Sequence, residues 1–261
     1  MSLSRATPLT PASPALLLIA HGSRDPRHAA TVAALTARVR RRAPGLRVAV
    51  GYLDFDTPSV GTALRSLHAA GARQVVAVPL LLTRAFHAKT DIPGVLAEES
   101  APLAGLTVRQ ADVLGPHHAL TVALERRLRA AGVAPGDAPH TGVVLAAAGS
   151  SDPEASAVIA AIAREWRRTT GWCAVRPAFA SASAPRTADA VRDLRAAGAR
   201  RVAVAPYVLA PGRLPDRIAA GAREAGADAL APVLGPAPEV ARVVLERYAA
   251  ALAPALTASA A

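Results

Sequence analysis

Residues 15–26 read ALLLIAHGSRDP, and this stretch decides the fold. Six apolar residues, Ala15 to Ala20, run without alternation, as in a strand of a parallel sheet that helices cover on both faces. The run stops at His21-Gly22. Asp25-Pro26 then supplies a helix start, Asp as N-cap and Pro at the first helical position, where its missing amide hydrogen is not needed. Val32, Leu35 and Val39 form the stripe that such a helix buries, and Pro44-Gly45 ends it.

The stretch recurs. A shift of 127 positions, without a gap, lays Gly22-Ser23 on Gly149-Ser150, Asp25-Pro26 on Asp152-Pro153, Pro58 on Pro185, Gly71-Ala72-Arg73 on Gly198-Ala199-Arg200 and Pro79 on Pro206. The helix stripe lands on Ile159, Ile162 and Trp166. The chain therefore contains one fold twice. Under the same shift His21 meets Ala148 and His87 meets Leu214. A purely structural histidine persists where the fold persists, so the joint loss of both imidazoles points to one active site, in the first half.

Working outward, a second strand is expected over about Leu46 to Leu53, a helix from Thr57-Pro58 to Gly71, and a third strand from Val75 to Leu82. A helix from near Asp91-Ile92-Pro93 to Ser100, a short strand around Leu106 to Val113 and a helix from His117 to Ala131 complete the first copy. Strands alternating with helices over short connections imply right-handed crossovers and a parallel sheet. The fold class is thus α/β, two duplicated doubly wound domains, each a small parallel sheet flanked by helices. The expected boundaries are a disordered tail over 1–13, a first domain carrying the active site over 14–133, a linker over 134–141 and a degenerate second domain over 142–255. Leu114-Gly115-Pro116 matches Leu234-Gly235-Pro236 at a shift of 120, so the second copy lacks seven residues after its third strand.

The 261 residues suffice for two domains of ordinary size. With 52% hydrophobic but only 3% aromatic residues, the cores must be built from Ala, Val and Leu. The formal charge of +11 is almost wholly arginine, with a single lysine, Lys89. High-GC codon usage and selection for an acidic ligand explain this equally well. Few aromatics and arginines dispersed over many helices argue against nucleic acid. Cys173 is the sole cysteine, which excludes an internal disulfide, a thiolate zinc site and a cysteine-ligated cluster within one chain; it reads as a small buried apolar residue in a strand. The run Ala15 to Ala20 is too short to span a bilayer and lacks the flanks of a signal peptide, so a cytoplasmic protein without membrane contact is expected.

In open α/β sheets ligands bind beyond the carboxyl ends of the strands. His21, Asp54 and His87 follow the first, second and third strands, which places residues 66 positions apart on one rim. Two imidazoles and a carboxylate suit a first-row divalent metal, and three protein ligands would leave coordination positions open. Asp54, matched by Ser181, reads equally as a metal ligand or as a capping or solvated loop carboxylate. Arg24, Arg84 and Lys89 flank the rim and could pair with ligand carboxylates, and backbone amides at the helix start after Gly22-Ser23 offer a second anion site. His28 and His68 fall within helices as surface residues, His117-His118 opens a helix, and His140 belongs to the linker.

Four segments in order, LLLIAHGSRDP, GYLDFDTPS, VPLLLTRAFHAKTDIP and VLGPH, resemble the class II tetrapyrrole chelatases, specifically sirohydrochlorin chelatases of the CbiX/SirB type in their long two-domain form. The resemblance implies insertion of Fe2+ or Co2+, with Ni2+ a further candidate, into sirohydrochlorin for siroheme or cobalamin. The metal is then a substrate, and no prosthetic group is implied. His21 and His87 take the positions that bind the metal and help remove pyrrole protons. Asp54 stands where the family commonly has Glu, one methylene longer. A cleft between two similar domains suits a flat ligand with eight carboxylates, and the chain is expected to act as a monomer with pseudo-twofold pairing of its halves. Two other readings remain: a metal or tetrapyrrole carrier using the same histidines, and a histidine phosphatase-like enzyme. The phosphatase group has Arg immediately before its histidine, whereas Ala20 stands here.

Overall fold

The structure is a computed structural model that describes residues 13–84 and 91–253. The expected tail, residues 1–12 of it, lies outside these. The first copy comprises β1 (Ala15–Ala20), α1 (Pro26–Arg42), β2 (Val48–Tyr52), α2 (Val60–Ala69), β3 (Gln74–Pro79), α3 (Ile92–Ser100), β4 (Thr107–Gln110) and α4 (His118–Ala130). The second comprises β5 (Thr141–Ala147), α5 (Pro153–Thr169), β6 (Ala174–Phe179), α6 (Thr187–Ala196), β7 (Arg201–Tyr207), α7 (Arg213–Glu224), β8 (Ala229–Leu230) and α8 (Pro238–Leu252). Each copy folds into a four-stranded parallel sheet, ordered β2-β1-β3-β4 and β6-β5-β7-β8. This is the duplicated α/β architecture that the strand–helix alternation predicts.

The uninterrupted apolar run has its expected cause. All six residues of β1 are buried, with alternate side chains entering different cores. Leu17 and Ile19 pack with α2 and α3 residues, while Leu16 and Leu18 join Val32, Leu35 and Val39 of α1. Each fully buried leucine is worth about 1.5–3 kcal/mol, so these strands anchor the sheet. α1 starts as predicted, with the Asp25 carboxylate accepting the Arg27 amide at 2.9 Å and Pro26 in the first turn.

Two expectations are corrected. The second helix begins at Val60, not at Thr57-Pro58, because the Pro58 carbonyl accepts the Tyr52 amide at 3.0 Å and so prolongs the extended chain; the Ser59 hydroxyl then caps the helix. Cys173 is half-buried and sits just before β6, not within a strand. The expected linker contains a short 3-10 helix over Pro135–His140.

The halves are joined more closely than two beads on a linker. α8, the last of the described helices, packs on α1, α4 and β3 of the first copy, while α4 packs on β7 of the second. Each half thereby lends its final helix to the other, and one apolar core runs through both, from Leu16 and Val78 to Val143, Leu145 and Val244. Polar ties hold the exchange. Trp166 and Trp172 both donate to Oε1 of Glu125, at 2.5 and 2.7 Å, and Arg126 pairs with Glu239 at 3.0 Å. The joined halves bring the carboxyl ends of both sheets to a shared cleft.

Candidate active site

β1 ends at Ala20 beside Tyr52 of β2, and the chain turns at His21-Gly22. Gly22 has φ +94°, and a Cβ there would stand 1.7 Å from the Asp54 carbonyl. Only glycine permits this approach. The Asp54 amide bonds to the His21 carbonyl at 2.9 Å, and the Asp56 amide bonds back to the Asp54 carbonyl at 2.7 Å. Phe55, between them, is thereby held at φ +62°. The Ser23 hydroxyl accepts the Asp25 amide at 3.1 Å, which leads the chain into α1.

A cavity of about 560 Å³ opens on this rim. That volume lies within the usual range for small-molecule sites. The first half contributes His21 to Asp25, His28 and Phe55, and the second half closes the far side with the segment from Val208 to Pro215. A smaller cavity of about 260 Å³ inverts the arrangement: Gly149, Ser150 and Ala155 of the second half face Leu80 to Thr83 of the first. Leu80, Leu81, Ala148, Val208 and Leu209 line both, so the two form lobes of one cleft related by the duplication.

The predicted residues distribute unequally. His21, Gly22, Ser23 and Arg24 line the larger lobe. His21 stacks beside the Phe55 ring, centroids 6.3 Å apart, and the Arg24 guanidinium lies 5.2 Å from the same ring. Asp54 is exposed but does not line the cavity; its Oδ1 accepts the Phe55 amide at 2.8 Å, as a loop carboxylate and not as a helix cap. Arg84 pairs with Asp112 and lines neither lobe. His87 and Lys89 lie outside the described residues. Among the described residues, no three His, Cys, Asp or Glu side chains gather as a metal-binding group.

One residue contradicts its expected place. His28 is not a surface residue of α1: its side chain is only 16% exposed and lines the cavity. Its Nδ1 is buried without a hydrogen-bond partner among the described residues and stands 3.7 Å from Oδ2 of Asp56. Burial pushes the His28 pKa below its ordinary value, against the opposing pull of Asp56, and His21 adds to the lowering. Oδ2 of Asp56 also accepts the Ser23 amide at 2.9 Å. The signal was present in the helix stripe. His28 precedes Val32 by four positions and Leu35 by seven, so it continues the buried face toward the strand ends. The duplication marks it too, for the 127 shift lays His28 on Ala155 and Asp56 on Ser183.

Of the remaining histidines, His117 caps α4, its Nδ1 accepting the Ala119 amide and its Nε2 meeting Glu246 at 2.9 Å. His68 is half-buried, its Nε2 3.0 Å from the Ala104 carbonyl. Both are structural. No helix among the described residues is long and apolar enough to cross a membrane.

Comparison with known proteins agrees with this architecture. A sirohydrochlorin cobaltochelatase of Priestia megaterium is 28% identical over 204 residues, which are 78% of this chain and 66% of that protein. The matched region thus spans slightly under two thirds of that relative. A sirohydrochlorin ferrochelatase of Bacillus subtilis is 26% identical over 204 residues, 78% of this chain and 77% of its own. Among solved structures, SirB from Bacillus subtilis with Fe3+ shares the fold with a TM-score of 0.81 and 24% identity, covering 92% of this chain and 95% of that one. CbiX, described as the terminal enzyme for biosynthesis of siroheme in denitrifying bacteria, gives a TM-score of 0.66 and 25% identity over 92% of this chain and all of its own. The CbiX family model matches residues 15–131 and again 142–251, the two copies found by the 127-residue shift, and the chain belongs to the CbiX family.

Proposed function

We propose that this protein is a sirohydrochlorin chelatase that inserts Fe2+ or Co2+ into the macrocycle, with the reaction confined to the lobe built around His21. The observation that carries this reading is a cavity of about 560 Å³ with two imidazoles, His21 and His28, on its first-half wall, opposite a second-half wall without any. The family relatives named for cobalt and for iron support the chemistry.

Insertion exchanges two pyrrole N–H protons for one divalent cation, which ends on four ring nitrogens. The protein must present a partly desolvated cation on ligands weak enough to release it and must accept the protons. His21, at the open rim, is the ligand that hands over the metal, and the family resemblance gives His87 the same part. His21, once its nitrogen has released the metal, takes one proton and His28 takes the other: burial favours the neutral His28 ring, and Asp56 beside Nδ1 stabilises it once charged. Gly22 and Ser23 shape the rim, while Arg24 and, from the facing half, Arg213 offer guanidinium groups to the carboxylates of the macrocycle. We assign the supporting carboxylate to Asp56, not to Asp54. The reaction uses no membrane and belongs with a cytoplasmic enzyme.

The test is anaerobic incubation of the purified protein with sirohydrochlorin and Fe2+ or Co2+, following the absorption spectrum. Catalytic turnover above the uncatalysed rate is expected with at least one of the two metals. A single stoichiometric burst without turnover would show a carrier, and no change in the spectrum would refute the assignment.

A further inference from the structure

Phe55 is the most exposed large apolar side chain among the described residues, at 52%, in a chain with only three phenylalanines. Its backbone lies at φ +62°, in the central position of a three-residue turn closed by the 2.7 Å bond from the Asp56 amide to the Asp54 carbonyl. Turns of this kind strain any residue that carries a Cβ. The second half makes the same turn, Ser183 amide to Ser181 carbonyl at 2.6 Å, but places Ala182 at its centre with φ +58°. The turn therefore belongs to the scaffold, whereas the ring belongs to the first half alone. A phenylalanine adds exposed apolar surface at that apex, and nothing in the fold of the turn requires it.

The ring is placed for a ligand. It lines the larger lobe between His21 and the Arg24 guanidinium, with Arg213 of the opposite half across the same cavity. We infer that Phe55 is a stacking platform: the Arg24 guanidinium that lies over its face gives way to a planar conjugated ring and pairs with that ring's carboxylate edge, leaving the ring beside the His21 imidazole. Stacking on an aromatic face suits a flat macrocycle, and the flanking cations suit its carboxylates. This inference rests on the proposed tetrapyrrole substrate and adds the residue that positions it.

Sirohydrochlorin binding without metal, followed by absorption titration of the full chain, separates this inference from the chelatase assignment. Phe55→Ala and Phe55→Gly should weaken binding by about three- to tenfold, and Phe55→Trp should bind within twofold of the parent, with indole emission quenched by the macrocycle. Phe55→Gly should also resist denaturant as well as the parent or better, because glycine relieves the positive φ; a loss of binding without a loss of stability is not the mark of a structural residue. In turnover, KM should rise more than kcat falls. Binding within twofold of the parent in both Phe55→Ala and Phe55→Gly would overturn the platform while leaving the chelatase assignment standing. Binding by the parent without turnover would overturn the chelatase assignment and leave the platform to be judged by the same titration. Absence of binding by the parent would overturn both.

Discussion

The turn after β1 and the turn after β5 are built from the same parts and differ in what they carry. Gly22 and Gly149 have φ +94° and +90°, and each admits a carbonyl, Asp54 or Ser181, where a side chain would clash. Ser23 and Ser150 accept the amides of Asp25 and Asp152 at 3.1 and 3.0 Å, and those aspartates cap α1 and α5. On this common frame the first half holds His21, His28, Phe55 and Asp56, and the second holds Ala148, Ala155, Ala182 and Ser183. The residues that make the turn are retained in both copies, and those that could bind or transfer something occur in one. Scaffold and chemistry are thus separable position by position.

The largest effect should come from the chemistry. His21→Ala should slow metal insertion at least about 100-fold, the scale expected when a metal ligand or proton acceptor is lost, whereas Ala148→His should leave the rate within twofold of the parent. Stopped-flow absorption measurements under anaerobic conditions check both. A gain of activity in Ala148→His would break the distinction between the halves.

The scaffold should respond alike in both halves. Gly22→Ala and Gly149→Ala each combine a positive φ with a carbonyl contact shorter than 2 Å, and each should cost about 2–4 kcal/mol in urea unfolding. Only Gly22→Ala should also reduce turnover. Loss of turnover in Gly149→Ala at matched stability would show that the second lobe takes part in the reaction.

The helix exchange offers a sharper test of how far the halves depend on each other. Glu125→Leu leaves the Trp166 and Trp172 indole N–H groups without their shared acceptor, which should cost about 2 kcal/mol. The chain has two tryptophans, both on Glu125, so the emission spectrum reports on that joint directly.

The smallest effect concerns His28. His28→Asn should lower the insertion rate about tenfold, because His21 remains. It should also change the dependence of stability on pH. Burial holds the pKa of folded His28 below the ordinary value of 6.5, so as pH falls the unfolded chain takes up the proton first. The parent should therefore be fully stable above about pH 6.5 and lose stability below it, with a flatter decline in His28→Asn. His117, lowered in the same direction by burial, contributes to the decline that remains. An unchanged pH profile in His28→Asn would remove His28 from the account.

Much of this architecture was legible in the sequence. The apolar run of β1, the Asp25 cap and the 127-residue shift carry the two sheets, their strand ends and the asymmetry between the halves. The helix exchange was not legible, because periodicity reports which face of α4 and α8 is buried but not which sheet buries it. The Thr57-Pro58 start failed because a proline that suits a helix's first turn equally suits the extended segment before it. A histidine within a helix, taken alone, reads as a surface residue, and only its spacing to Val32 and Leu35 puts His28 on the buried stripe. Position after the second strand points to Asp54 and gives no sign of Asp56. The choice between two carboxylates two residues apart depends on the direction of a turn, and only the structure shows that direction.

The claim that one half reacts and the other holds is tested most directly by counting metal. Isothermal titration of Co2+ into the parent chain should show one site per molecule, absent in His21→Ala and retained in Phe55→Ala. Two equivalent sites, or binding undiminished in His21→Ala, would contradict it.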